Sequence, residues 1–186
     1  MGSIQNTEKE VCSFCRLPKA VPVQDDCNVC QESVCRNCVQ MLHEDDFRYA
    51  NERPEILSHA RYCPRCFDEH IIPAREAYTE TLERAKNVGF WTRTYRGTIP
   101  IIKRGRLEIE VKGGRDRDDI LLRLGFRAAE LGFNGLVHGV MASKKLRNHG
   151  YQKMEWEARA LPVKVDQEKV DREEWREAHW RILSHR

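Results

Sequence analysis

From residue 73 onward the apolar positions fall into readable periods. Ala74, Ala77, Tyr78, Leu82, Ala85 and Val88 recur at steps of three and four, the repeat of one helix face. Pro73 suits a first helical position and Gly89 ends the run, so the pattern predicts an amphipathic helix over residues 73–88. Residues 90–112 alternate instead. Ile99 and Ile101, then Leu107, Ile109 and Val111 with Glu108 and Glu110 between them, predict two strands with a turn at Arg104-Gly105. Gly113-Gly114 breaks the alternation. Asp118 or Asp119 can cap the next helix, whose buried stripe is Ile120, Leu121, Leu124, Ala128 and Leu131, with Gly132 as its end. Leu136, Val137 and Val140 predict a strand, a polar stretch runs through Asn148-His149-Gly150, and a last strand spans Tyr151 to Val165. The tail, 166–186, reads as a charged helix with Trp175, Ala178 or His179, and Ile182 on one face and Trp180 offset. Docking onto the body and binding a partner are both open to it.

The first 72 residues are organised by cysteine. All eight cysteines fall between Cys12 and Cys66, and none follows. A hydrophobic content of 40% is ordinary for a globular chain, while 33% charged residues is somewhat high. No apolar run approaches the roughly 18 residues of a membrane span, and the polar segment 1–10, read as a disordered N-terminus, has no apolar signal core. Asn6 also stands where a myristoylation signal needs Ser or Thr. A cytoplasmic location with no membrane contact is therefore expected, and in a reducing compartment paired cysteines hold metal more often than disulfides. Charge divides along the same line. Residues 1–72 carry 8 basic and 12 acidic side chains, a net −4, whereas residues 89–165 carry 16 and 8, a net +8.

The cysteines form four pairs: Cys12-Ser13-Phe14-Cys15, Cys27-Asn28-Val29-Cys30, Cys35-Arg36-Asn37-Cys38 and Cys63-Pro64-Arg65-Cys66. Two intervening residues let both sulfurs of a pair reach one tetrahedral ion at about 2.3 Å. Four pairs with no cysteine left over predict two Zn2+ ions. Eight protein thiolates leave no open coordination position, so both sites are expected to be structural.

The pairs are separated by 11, 4 and 24 residues, a series that resembles the cross-brace zinc modules of the FYVE, PHD and RING families. The resemblance implies that Cys12, Cys15, Cys35 and Cys38 hold one ion and Cys27, Cys30, Cys63 and Cys66 the other. Interleaved ligands tie distant segments together with little core, which suits a module of this size. The short gap between the second and third pairs is similar to FYVE domains, but Gln24-Asp25-Asp26 precedes Cys27 where those carry a basic run, so phosphate headgroups are not expected there. Tyr62-Cys63-Pro64-Arg65-Cys66 is similar to PHD fingers. The likeness to RING domains rests on Phe14 inside the first pair and Pro64 after the first cysteine of the last. It implies that Phe14 and Pro64, with Arg65 beside them, contact a ubiquitin-conjugating enzyme; the alternative is that these residues simply pack the knuckles.

A second resemblance lies in the body. Ala128-Ala129-Glu130-Leu131-Gly132-Phe133-Asn134-Gly135-Leu136-Val137-His138-Gly139-Val140, followed by a hairpin ending Arg159-Ala160-Leu161-Pro162-Val163-Lys164-Val165, resembles the YbjQ-like family of small α/β domains. That likeness implies a helix, a tight turn and two long strands, with heavy-metal binding and ring-like homo-oligomers as analogies. With no cysteine and only His138 and His149 in this segment, no metal site is expected in it.

The expected fold class is α+β: a small treble-clef or cross-brace zinc module (11–72), a linker helix (73–88), a small α/β domain (89–165) and a C-terminal helix (166–186). Lys144, Lys145 and Arg147 form a basic cluster placed on the hairpin connection, with Arg93, Arg96, Lys103, Arg104 and Arg106 as candidates to extend it. Clustered cations can bind phosphates. No nucleophile–base constellation or phosphate-cradling glycine loop appears. The first reading is accordingly a non-catalytic adaptor, with the finger recruiting a protein partner and the α/β domain scaffolding or oligomerising. A RING-like ubiquitin ligase is the alternative, and nucleic-acid binding through the basic domain a further one.

Overall fold

The computed structural model describes residue 12 and residues 14–16, 25–43, 45–148 and 151–171. The expected disordered N-terminus, His149, and the tail helix with Trp175, Ala178, His179, Trp180 and Ile182 lie outside the described residues. The chain is mixed helix and sheet, and it divides into two units between Tyr78 and Thr79.

In the first unit the strands are minimal. β1 (Asp25–Asp26) pairs antiparallel with β2 (Ser33–Val34), and β3 (Gln40–Met41) with β4 (Arg61–Tyr62). Two-residue strands bury one side chain at most, Val34 from β2 and Tyr62 from β4, so the rest of the apolar cluster comes from turns and short helical segments. Val34, Phe47, Leu57, Tyr62, Phe67 and Ile71 gather around three of the cysteines, Cys27, Cys63 and Cys66. Tyr62 is fully buried, and its hydroxyl donates to the Ile56 carbonyl at 2.6 Å with the His59 carbonyl at 3.1 Å. Burial raises its pKa above the usual tyrosine value. Phe47 sits in a left-handed turn with φ of 59°, a strained position for an aromatic residue. The turn is held by Asp46, which accepts the His43 N–H at 2.9 Å and the Arg75 guanidinium at 2.8 Å.

Cys63 caps the first helical turn, α1 (Pro64–Cys66), its sulfur accepting the Cys66 N–H while Pro64 occupies the first helical position. A wider turn over Phe67–Ile71 then feeds α2 (Ile72–Lys86). The residues expected as a linker over 73–88 fall largely in α2, which the unit boundary divides between Tyr78 and Thr79. Ala74 and Tyr78 pack against the first unit's apolar cluster, and the Ala85 carbonyl lies so close to Gly125 that a Cβ there would come within 2.8 Å of it.

The second unit is built on one long antiparallel ribbon, β8 (Gly135–Asn148) with β9 (Tyr151–Val165). β5 (Gly89–Thr92) adds to β8 in parallel. β6 (Ile101–Arg104) and β7 (Ile109–Gly114) both pair with β9, at successive stretches. Thus the region expected to hold two strands holds three, and the Gly113-Gly114 expected to break the pattern lies within β7, where Gly113 takes φ of 77° at a register shift. α3 (Arg117–Glu130) covers one face through Ile120, Leu124 and Ala128 against Ile109, Leu136, Ala158 and Ala160. The opposite face buries Trp91, Val137, Val163 and Val165.

Three details differ from the sequence expectation. The cap of α3 is Asp116, whose carboxylate accepts the Asp119 N–H at 2.8 Å. Asp119 reaches back instead to the Arg115 N–H at 2.9 Å, a reciprocal arrangement that closes two backbone donors at once. Leu131 is not part of the buried stripe; the helix has ended at Glu130, and Leu131 is 59% exposed. Finally, the polar stretch after Val140 is strand as far as Asn148, so Lys144, Lys145 and Arg147 stand on β8 and not on a connecting loop. Lys103 and Arg104 do not extend their cluster. They pair with Lys164 and Val163, whereas Lys145 and Arg147 pair with Met154 and Gln152, about 30–40 Å away along β9 at roughly 3.3 Å per residue.

Candidate metal centres

The structure brings the eight thiols into two groups: Cys12, Cys15, Cys35 and Cys38, and Cys27, Cys30, Cys63 and Cys66, with the sulfurs of each group all within 4.8 Å of one another. The first and third pairs converge, and the second and fourth, so the two ligand sets are interleaved along the chain. Among the described residues no other group of three or more His, Cys, Asp or Glu side chains converges in this way.

Sulfur separations bear on what the groups can hold. Cys15 Sγ and Cys35 Sγ lie 3.5 Å apart, and Cys30 Sγ and Cys63 Sγ 3.7 Å apart. Four sulfurs at about 2.3 Å from a tetrahedral ion have edges of about 3.8 Å, while a disulfide needs about 2.05 Å. All eight cysteines are free. The donor set therefore fits one tetrahedral ion per group, with soft ligands only.

Local turns present each pair. After Cys15 and after Cys30 the chain takes a left-handed residue, Arg16 at φ 55° and Gln31 at φ 63°. Their N–H groups return to the carbonyls of Cys12 and Cys27, each at 3.0 Å. This closes both knuckles and turns the pair's sulfurs the same way. In the third pair the Cys35 carbonyl accepts from the Cys38 N–H at 2.9 Å and the Val39 N–H at 3.0 Å. The fourth pair uses the start of a helix instead, as described for Cys63.

The second centre is also clamped by a residue that no spacing rule pointed to. Asn28, inside the second pair, accepts the Arg61 N–H on its side-chain oxygen at 3.0 Å and donates its own N–H to the Arg61 carbonyl at 3.0 Å. Arg61 lies two residues before Cys63, so Asn28 behaves as a one-residue strand joining the knuckle to the fourth pair. Its position within Cys-x-x-Cys and the amide's ability to mimic a backbone are the only sequence signals available.

Without an ion, four thiolates cannot share such a space, and the groups divide their protons unevenly. Burial works to raise the Cys12 thiol, but N–H groups of Cys15, Cys35 and Phe14 donate to its sulfur and bring it from 9.0 down to about 6. Cys38 is pushed up to about 12, by its hydrogen bond with Cys35 and then by burial and the other sulfurs. In the second group Cys27 falls to about 7, again against burial, through N–H donors from Cys30, Cys63 and Val29. Cys63 and Cys66 are both raised, with burial the largest cause. A divalent cation replaces the protons the raised thiols retain, so its uptake near neutral pH releases them.

The residues expected to form a partner surface are disposed less openly than their spacing implied. Phe14 packs against the unit's apolar cluster, and Pro64 is half-buried at the start of α1. Arg65 is exposed, but its guanidinium pairs with Glu32 at 2.9 Å. No known protein family, curated protein or solved structure matches the chain. The centres therefore stand on their geometry and donor chemistry.

Proposed function

We propose that the first unit is a two-zinc structural finger that recruits a protein partner, and that the α/β unit scaffolds or oligomerises the complex. The observation that carries this reading is the completeness of both ligand sets. Each ion would receive four thiolates from the chain itself, which leaves no position for water or substrate and removes the usual routes of metal catalysis. An all-sulfur tetrahedral donor set suits zinc or iron, and zinc is the ion proposed for both centres. The likeness to ubiquitin ligases draws no separate support, since Phe14 rests on the core and Arg65 is held by Glu32.

The test is metal analysis followed by cobalt substitution. Purified protein should carry two zinc ions per chain. The cobalt form should show thiolate-to-metal charge-transfer bands that azide and cyanide leave unchanged. Iron in place of zinc would refute the choice of metal. A cobalt spectrum that shifts with azide would reveal an open site and defeat the structural reading. For the recruitment half, Arg65→Glu, a change at an exposed side chain, should weaken binding to the captured partner while the zinc content stays at two.

A further inference from the structure

The long ribbon of the second unit outruns its sheet. β7 last pairs with β9 at Gly114↔Trp156, and β5 last pairs with β8 at Thr92↔Gly139. Beyond Ser143↔Trp156 only β8 and β9 continue, through Lys144↔Glu155 to Asn148↔Tyr151. Five residue pairs at about 3.3 Å each make a two-stranded arm of roughly 17 Å. Its described side chains are exposed at 144–147 and 152–154. An arm without a third strand or a covering helix buries little, so packing of the unit does not account for it.

The arm's chemistry is cationic and sorted by face. Directly opposed residues share a face. On one face Lys145 stands opposite Met154 and Arg147 opposite Gln152; on the other Lys144 stands opposite Glu155 and Leu146 opposite Lys153. The single carboxylate, Glu155, takes Lys144 at 3.0 Å. Lys145, Arg147 and Lys153 make no ion pair among the described residues. The first face therefore carries two cations and no acid.

The geometry points to a duplex-DNA-binding arm: a two-stranded ribbon laid in the major groove with Lys145, Arg147 and Lys153 directed at phosphates. A major groove about 12 Å wide and 8.5 Å deep admits a two-stranded ribbon, and roughly 17 Å of ribbon laid along it spans about five base pairs at about 3.4 Å each. Cations near its tip meet the flanking backbones, which supplies affinity that is independent of sequence and sensitive to salt. An A-form duplex has a major groove too narrow for such an arm. Lysines on an open edge also discourage strand-to-strand aggregation, and that role alone predicts no DNA binding. The inference rests on the ribbon and is independent of the reading of the metal unit.

The experiment is fluorescence anisotropy of the full, metal-loaded chain with a labelled duplex DNA across a series of salt concentrations. With three phosphate contacts, log K should fall against log salt with a slope of about −3. Lys145→Ala/Arg147→Ala should reduce the steepness of that slope by about 2. Lys103→Ala/Arg104→Ala, at the far end of β9, should leave slope and affinity unchanged. A duplex RNA of the same sequence should bind at least tenfold more weakly. An unaltered circular dichroism spectrum and melting temperature check that the arm variant is folded. The proposal is overturned by absence of binding at low salt, by equal losses in the two double variants, or by RNA binding as well as DNA. Capture by phosphatidylserine vesicles without capture by DNA also overturns it, and assigns the arm to membranes.

Discussion

In the first unit no described strand exceeds two residues, whereas β8 and β9 of the second run to 14 and 15. The first unit's apolar cluster includes three of its own metal-binding candidates, Cys27, Cys63 and Cys66. Trp91, Leu124, Leu136 and Val163 bury the second unit's faces without a cysteine anywhere. One unit thus gathers its turns around two groups of four sulfurs that could each hold an ion, and the other restrains its strands through a ladder and a packed helix. Short ladders cannot offset the entropy of ordering a turn-rich chain, so the first unit's fold and its ions are expected to be one equilibrium. The second unit's stability should be indifferent to metal.

Chelation is the largest test of that contrast. Structural zinc contributes of order 10 kcal/mol of apparent folding free energy per site. Stripping with a strong chelator should collapse the dispersed amide resonances of residues 25–71 and leave those of β8, β9 and α3 in place. Loss of both sets together would break the comparison. Acid should act on the same unit. In the metal-free group, Cys12 sits below its unfolded value of 9.0, at about 6. Its contribution is therefore full above pH 9 and lost as pH falls through 6. Cys38, raised to about 12, contributes below pH 9 and loses that contribution as pH rises. An ion needs every thiolate, so protons compete with it throughout. Metal content after dialysis should fall between pH 7 and pH 5, while the second unit's melting is unchanged.

The next effects are smaller and separate the units by residue. Leu124→Ala, at a fully buried site on α3, should cost the second unit about 2–5 kcal/mol and leave the metal content of the first unit unchanged; thermal melts with metal analysis would read both. Asn28→Ala removes the acceptor for the Arg61 N–H and should cost about 1–2 kcal/mol, read as faster release of one ion to a colorimetric chelator. If both ions left faster, the clamp would not be local to the second centre.

What could be read in advance follows the same contrast. The eight thiols were legible because two-residue spacing is local chemistry, whereas convergence of Cys12 with Cys35 is tertiary and was approached only through a resemblance. α3 was legible from Ile120, Leu124 and Ala128, whose period comes from burial on one face. Its cap was misplaced because Asp116, Asp118 and Asp119 are all competent, and only the reciprocal bond through Asp119 decides between them. The outer half of β8 was hidden for the opposite reason. A ribbon exposed on both faces has no core to face, so Ser143-Lys144-Lys145-Leu146-Arg147 shows no alternation of apolar and polar positions. Its strand character is recorded only in the backbone pairing with β9.

Interleaving of the two ligand sets also orders events in time. During synthesis the first four sulfurs have all left the ribosome once Cys38 emerges, but by then Cys27 and Cys30 have emerged too, and their own partners have not. Until Cys63 and Cys66 follow, the nascent chain offers six thiols to an ion that needs four, and Cys27 and Cys30 can compete for the place of Cys35 and Cys38. Only four residues separate Cys30 from Cys35, so the rival pairs stay near one another along the chain through that interval. If ions are taken up during synthesis, the pairing seen here is reached only when they can change partners until the helix begun at Pro64 delivers the last two.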